Sequence, residues 1–373
     1  MPIPAYLDPR SGRTYPIDQP RWCGDDGAPL LITDLPGITR DQITRARSLW
    51  RYSAALPLTV RAPITMGEGC TPLLPRRLFG AEALLKCEWF GPTASFKDRG
   101  ASVMLSLLRQ QGVTSVLEDS SGNGGAAISA YAAAGGMQAT IMAPASTSPA
   151  KTVQMRAHGA AVELIPGSRQ DTSAAAEARA STIFYASHNW HPFFLQGTKT
   201  LAYELWEDLG FRAPDNVIIP CGAGSNVLGC DIGFTELLRA GAIDRLPRLF
   251  AAQPAQCGPI ARHVLGLPAE PAGATIAEGT AIAAPIRLGE VSAALARSQG
   301  GAVLIAEADI IRATLDLAAI GIYVEPTCAQ AAAGFRQMLE AGTIRPDETT
   351  VLVLTGTGIK ATPRIAEMLG VSI

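Results

Sequence analysis

The sequence predicts an α/β protein built on parallel sheets, and three observations carry that prediction. From Ala83 onward, short apolar runs of strand length alternate with Ala-rich helical segments, the rhythm of parallel strands joined by crossover helices. Glycine-rich turns stand where strands run into helices, as at Gly122 and Gly222. At 373 residues and 47% hydrophobic composition, the chain is long and apolar enough for two domains.

Taken in order, the first 60 residues are punctuated by Pro and Gly, then turn helical over residues 41–52, forming an N-terminal extension. Residues 83–87 read as strand, 96–111 as helix, 116–118 as strand, 125–134 as helix and 139–142 as strand. The alternation continues with helix at 151–158, strand at 161–164, helices at 172–182 and 198–209, and strand at 217–219. A second α/β block closes the chain, with strands at 249–252 and 351–354 and helices at 306–319 and 330–341.

Composition narrows the function classes. The formal net charge is −2, and there is no basic run to meet a nucleic acid or an anionic membrane. A small molecule is the expected partner. The first residues contain no basic segment followed by an apolar stretch. Apolar runs elsewhere fall far short of the roughly 20 residues of a membrane helix. The seven cysteines include no C-x-x-C pair, so neither a zinc ribbon nor a disulfide framework is expected and a reducing cytoplasm fits best. The four histidines lack ligand spacing, so no metal is predicted, and His188 and His191 read as packing or surface residues.

Four motifs carry chemistry. Gly91-Pro92-Thr93-Ala94-Ser95-Phe96-Lys97-Asp98-Arg99-Gly100 is a turn entering a helix, with Ser95 near the N-cap and Lys97 in the first turn. The positive end of the helix dipole disfavours an ammonium there, which suits a lysine that acts as base or condenses with a carbonyl. Ser120-Ser121-Gly122-Asn123-Gly124-Gly125 lies between a strand and a helix, where backbone N–H groups make an anion site. It reads either as such a site or as an ordinary βα turn. Cys221-Gly222-Ala223-Gly224-Ser225-Asn226 repeats the arrangement, with Cβ atoms removed so that backbone can approach a phosphate. The apolar run 351–354 delivers Thr355 to its C-terminal end, the edge where open α/β sheets bind ligands. Each loop alone is weak, and a nicotinamide-binding reading fails. Gly222-Ala223-Gly224 does not continue as G-x-G-x-x-G, and the next strand ends in Gln253 rather than an acid.

In their order and spacing the four motifs resemble the threonine synthase-like branch of the tryptophan synthase β-type, fold type II, pyridoxal-phosphate (PLP) enzymes. Glu68-Gly69-Cys70-Thr71-Pro72-Leu73 resembles the family's E-G-x-T-P-L, and Lys86, Glu88 and the block 91–100 resemble its K-x-E and P-T-x-S-F-K-D-R-G patterns. With Gly197-Thr198-Lys199-Thr200 and Leu354-Thr355-Gly356, the likeness spans roughly residues 60 to 360. The resemblance implies that Lys97 holds pyridoxal 5'-phosphate as a Schiff base, that Phe96 flanks its ring and that Asn123 contacts its 3′-oxygen. It implies further that Gly222, Ala223, Gly224, Ser225 and Asn226 hold the phosphate, and that Thr355 meets the ring nitrogen. It also implies two open-twisted parallel-sheet domains with PLP in their cleft, and a homodimer. The smaller, mobile domain is expected at 91–197 and the larger at 61–90 with 198–373, the extension 1–60 packing on the larger.

Three departures from that pattern bear on the substrate, an amino acid whose contacts are expected at Ser120, Ser121, Gly122, Asn123, Gly124, Lys151 and Phe194. Threonine synthases have S-G-N-T where this chain has Ser121-Gly122-Asn123-Gly124, so a hydroxyl is missing. Their N-P-x-R becomes His191-Pro192-Phe193-Phe194, and a phenyl ring cannot pair with a phosphate dianion. Either the anion site lies elsewhere, with Lys151 or Arg156 as candidates, or the substrate carries no phosphate. Finally, only Cys23 remains of the Cys-rich N-terminal segment found in some relatives. The expected reaction is β- or γ-elimination. It ends either in replacement to give threonine or in deamination to a keto acid, the latter as in serine/threonine dehydratases or diaminopropionate-type lyases.

Overall fold

Strands buried at every position lie at the centre of the larger sheet, and this orders the rest of the fold. The computed structural model describes residues 3–372. In chain order the elements begin with β1 (Ala5–Leu7), β2 (Thr14–Pro16), β3 (Leu31–Ile32), β4 (Leu73–Leu78), β5 (Ala81–Cys87), α1 (Lys97–Gln110), β6 (Ser115–Glu118), α2 (Asn123–Ala134) and β7 (Gln138–Pro144). Next come α3 (Pro149–Ala157), β8 (Ala161–Ile165), α4 (Arg169–Arg179), β9 (Phe184–Tyr185), α5 (Pro192–Thr198), α6 (Thr200–Asp208), β10 (Asn216–Pro220), α7 (Ser225–Arg239) and β11 (Arg248–Pro254). The chain closes with α8 (Pro259–Val264), α9 (Leu288–Arg297), β12 (Gly301–Ile305), α10 (Glu307–Ala319), α11 (Pro326–Glu340), β13 (Thr350–Leu354) and α12 (Thr362–Leu369). They form two compact units, one of the chain up to Gly69 with Lys97–Thr200, the other of Cys70–Phe96 with the chain from Leu201 onward.

The first unit carries a parallel sheet in the order β8-β7-β6-β9 and a small antiparallel sheet in the order β2-β1-β3. Helix α1 is buried from Asp98 through Leu108, because α5 packs closely along it. A Cβ at Gly100 would fall 2.4 Å from the Phe194 ring, and one at Gly197 would fall 2.1 Å from the Arg99 carbonyl. The N-terminal segment belongs to this unit, not to the larger one as expected from the sequence. Its anchor is the buried carboxylate of Glu68. It accepts from Trp50 Nε1 at 3.0 Å, Ser102 Oγ at 2.8 Å and Tyr131 Oη at 2.8 Å. Residues 41–52 also depart from the predicted helix. They hold 3₁₀ turns at Arg40–Gln42 and Leu49–Ala55, because Ser48 is extended and caps the second turn through the Trp50 N–H.

The second unit carries a mixed sheet in the order β12-β11-β10-β13-β5-β4, parallel except for the β4–β5 hairpin. β10 and β13 are buried at all five positions each, as expected of parallel strands covered on both faces. The hairpin turns at Phe79 and Gly80, both at positive φ (52° and 87°), the requirement of a two-residue type I′ loop. Under this sheet Lys86 is fully buried, its ammonium 2.7 Å from Glu204 and 2.8 Å from both Asp208 and the Thr71 carbonyl. Thr71 in turn donates its hydroxyl to Glu88 at 2.6 Å. Among the described residues no helix is long and apolar enough to cross a membrane.

Candidate active site

Lys97 is the first residue of α1, and the residue before it is pinned in the second unit. The Phe96 N–H donates to the Thr355 carbonyl at 3.0 Å, and Ser95 forms an antiparallel bridge with Gly356. Phe96 and Lys97 are half-buried, whereas Asp98, Arg99 and Gly100 behind them are buried. Within the first unit the Lys97 ammonium lies 5.6 Å from the centroid of the Phe194 ring. Phe194 is itself fully buried.

The turn 120–125 follows β6 directly. Ser120 Oγ accepts the Gly122 N–H at 3.3 Å, and Asn123 opens α2. Gly125 is imposed by the tightness of the turn, since a Cβ there would sit 2.1 Å from the Ser120 carbonyl. β6 ends in Glu118, fully buried, whose Oε1 lies 2.9 Å from His188 Nδ1 and whose Oε2 accepts the His188 N–H at 3.0 Å. Burial and the neighbouring Asp119 push the Glu118 carboxyl well above its ordinary range. Burial and the nearby Lys97 charge push His188 well below its own. Asp119 is also buried, yet Arg169 and a hydrogen bond from Ser173 hold it low. In the sequence His188 reads as a packing or surface residue and Glu118 only as the end of a strand. The available signal was an acid at the C-terminal end of an apolar strand, immediately before a Gly-rich turn. Lys151, by contrast, is exposed on α3.

In the second unit the loop 222–226 leads into α7, with Gly224 as N-cap at φ 93°. A Cβ at Gly224 would meet Val291 at 2.2 Å, and one at Gly222 would press on Thr280 Cα at 3.2 Å. Ser225 and Asn226 are buried, and among the described residues neither the amide nitrogen nor the amide oxygen of Asn226 has a hydrogen-bond partner. Thr355 follows β13, buried, its hydroxyl 3.4 Å from Cys328 Sγ. The Gly356 N–H donates to the same sulfur at 3.0 Å. Burial, reinforced by Glu325, pushes the Cys328 thiol far up, so it stays neutral beside Thr355. Cys328 had no signal in the sequence, because its place depends on α11 lying beside the end of β13. Two conspicuous motif residues serve the architecture. Glu68 anchors the N-terminal segment, and Lys199 is fully buried with its ammonium on the Ala55 carbonyl at 2.7 Å.

A family model described as pyridoxal-phosphate dependent enzyme matches residues 64–356. The chain belongs to that family. Its relatives place it in the threonine synthase-like branch, as a PLP-dependent lyase. Threonine synthase of Methanosarcina acetivorans is 33% identical over 346 residues, covering 89% of this chain and 85% of the relative. That of Methanocaldococcus jannaschii is 31% identical over 371 residues, covering 94% and 91%. Among solved structures, processed threonine deaminase isoform 2 from Solanum lycopersicum superposes with a TM-score of 0.68 at 23% identity, over 80% of this chain and 83% of that one. A fungal L-serine ammonia-lyase from Rhizomucor miehei gives 0.70 at 20% identity, over 81% and 98%. At these identities the structural likeness speaks for the fold, the tryptophan synthase β-like α/β fold.

The residues present fit the cofactor this family uses. A helix N-terminus bared of Cβ atoms is suited to a phosphate, and the loop 222–226 has this form. A buried amide without a partner costs free energy unless a ligand satisfies it, and Asn226 is such an amide.

Proposed function

We propose that this enzyme eliminates a leaving group from the β or γ carbon of an amino acid and completes the reaction by replacement, as a threonine synthase does. The observation that carries this reading is the likeness to curated threonine synthases across 89–94% of the chain, together with Lys97 as the first residue of α1. In this reading the N–H groups of 222–226, Ser225 and Asn226 bind the phosphate of PLP, Thr355 meets its ring nitrogen, Asn123 its 3′-oxygen, and Phe96 flanks the ring. When bound, the cofactor's pyridine ring supplies the electron sink for charge left on the substrate's α carbon.

The chain's own residues do the rest. Lys97 anchors the cofactor covalently through Nζ. The same Nζ, when free, would take the α proton of the substrate and return it later in the cycle, general acid–base catalysis by one positioned group. Thr355, a neutral hydroxyl beside a neutral thiol, offers the ring nitrogen no carboxylate to hold a proton there. That favours prompt loss of the leaving group over transamination. The turn 120–124 supplies backbone donors for the substrate carboxylate.

One observation favours a second reading. Phe194 stands where the family pattern has arginine and is buried against Gly100, so it brings no charge to a substrate phosphate. A deaminating lyase acting on serine or threonine needs none. Product analysis separates the two. Threonine and inorganic phosphate from O-phosphohomoserine is the expected result. Keto acid and ammonia from serine or threonine, with O-phosphohomoserine untouched, would overturn it in favour of the second. In either case Lys97→Ala should abolish the cofactor's covalent absorbance band and lower turnover by about a hundred- to ten-thousand-fold. A homodimer in the cytoplasm completes the proposal, and light scattering of the purified enzyme checks the assembly.

A further inference from the structure

We propose that His188 is a substrate-binding residue, its Nε2–H donating to the α-carboxylate of the bound amino acid while Glu118 fixes the ring for that task. The inference rests on the reading of the enzyme as one that binds an amino acid at the turn 120–124, and it deepens that reading.

The geometry begins with Gly124. This glycine lies in the first turn of α2 with no positive φ to explain it, and glycine inside a helix costs about 1 kcal/mol relative to alanine. Space explains it instead. A Cβ at 124 would lie 2.7 Å from both Cε1 and Nδ1 of His188. The imidazole therefore fills the volume that a side chain at 124 would occupy, over the same turn proposed to hold the substrate carboxylate. Threonine synthases place a hydroxyl-bearing residue at this position, and here the ring takes over its space.

Glu118 grips His188 at two points, Nδ1 at 2.9 Å and the backbone N–H at 3.0 Å. Phe194 backs the ring at a centroid distance of 5.7 Å. His188 is only 6% exposed, and among the described residues no group hydrogen-bonds its Nε2. That nitrogen is the one polar atom of the pair left for a ligand.

Its protonation follows from the pairing. The charged neighbours of the dyad are Asp119, Lys97 and Arg169. Two arrangements of Glu118 and His188 are neutral overall: a protonated carboxyl with a neutral imidazole, or a carboxylate with an imidazolium. With Nδ1 engaged by Glu118, both leave a hydrogen on Nε2. Only the net-anionic state bares Nε2, and burying that charge beside ionised Asp119 is unfavourable. The dyad thus presents a donor, and a carboxylate is the acceptor that an amino-acid substrate brings.

The test uses the PLP-loaded enzyme and two probes that cannot react further, L-alanine and its carboxylate-free counterpart ethylamine. Binding is read from the change in cofactor absorbance at equilibrium. His188→Ala and Glu118→Ala should each weaken L-alanine at least tenfold and change ethylamine less than twofold. Equal loss of both probes, or unchanged affinity for L-alanine, would overturn the proposal. Should either variant fail to fold, ¹⁵N-histidine spectra of the wild-type enzyme decide. The His188 Nε2 resonance should be of the protonated type and should move on adding L-alanine but not ethylamine; a resonance that L-alanine leaves in place refutes the contact. If the wild-type enzyme responds to no amino acid at all, the proposed function fails rather than this inference.

Discussion

Asn226 buries an amide that nothing among the described residues satisfies, at the head of a helix whose capping glycine admits no side chain. Asn226→Ala should therefore lower PLP affinity by about tenfold, the equivalent of one charge-assisted hydrogen bond, with little change in the stability of the cofactor-free protein. Equilibrium dialysis against PLP and a urea melt of the apoenzyme check the two halves. The Glu118–His188 pair makes a prediction about pH. Burial holds Glu118 above its ordinary 4.5 and His188 below its ordinary 6.5, so the folded pair resists both taking up a second proton at low pH and giving up its one proton at high pH. The unfolded pair holds two protons below 4.5, one between the two values and none above 6.5. The pair's contribution is thus flat between them. It falls as pH drops below 4.5, where the unfolded state binds more protons, and falls as pH rises above 6.5, where it binds fewer. Each limb has a slope of at most about 1.4 kcal/mol per pH unit, the limit for one proton. Urea melts across this range should show both limbs weakened in the Glu118→Gln, His188→Gln double variant; limbs of unaltered slope would count against the pairing. At this scale the sequence announced Lys97, Asn123 and Thr355 through motifs. It hid the dyad, because Glu118 and His188 are joined only by the pairing of β6 with β9.

Elements that follow a clean apolar rhythm were legible in the sequence, and those held by single polar anchors were not. The buried strands β10 and β13 and the helices α1, α2 and α10 lie where their patterns put them, within a few residues. β4, with Pro75, Arg76 and Arg77 in mid-strand, and β12, largely half-buried, lack the alternation that marks a strand. The segment around Leu49–Ala55 looks helical by periodicity but is tethered through Trp50 to Glu68. That tether is testable. Glu68→Ala leaves the Trp50, Ser102 and Tyr131 donors without their acceptor and should destabilise the protein by about 3 kcal/mol, whereas Tyr131→Phe, which removes one donor cleanly, should cost about 1 kcal/mol. Denaturant midpoints measure both, and equal losses would show that Glu68 is not the hub. The packing of the N-terminal segment in the first unit follows from the same carboxylate, which no composition-based boundary could reveal.

At the scale of the whole molecule, neither unit is a continuous stretch of chain, since Cys70–Phe96 interrupts the first and belongs to the second. Ligand linkage should stabilise the assembled protein. PLP at a hundred times its dissociation constant adds about 2.7 kcal/mol, seen as a raised thermal midpoint. Asn226→Ala should need more PLP for the same rise, and a midpoint indifferent to PLP would argue against specific binding. The interleaving also bears on synthesis. β5 pairs with β13 from Leu84↔Val351 to Cys87↔Leu354, so a strand leaving the ribosome waits for a partner translated much later. Until then the edges of β5 and β10 that β13 will join stand open to neighbouring nascent chains. An isolated fragment starting at Leu201 would keep β13 as a bare rim and should precipitate unless residues 70–96 are supplied in trans.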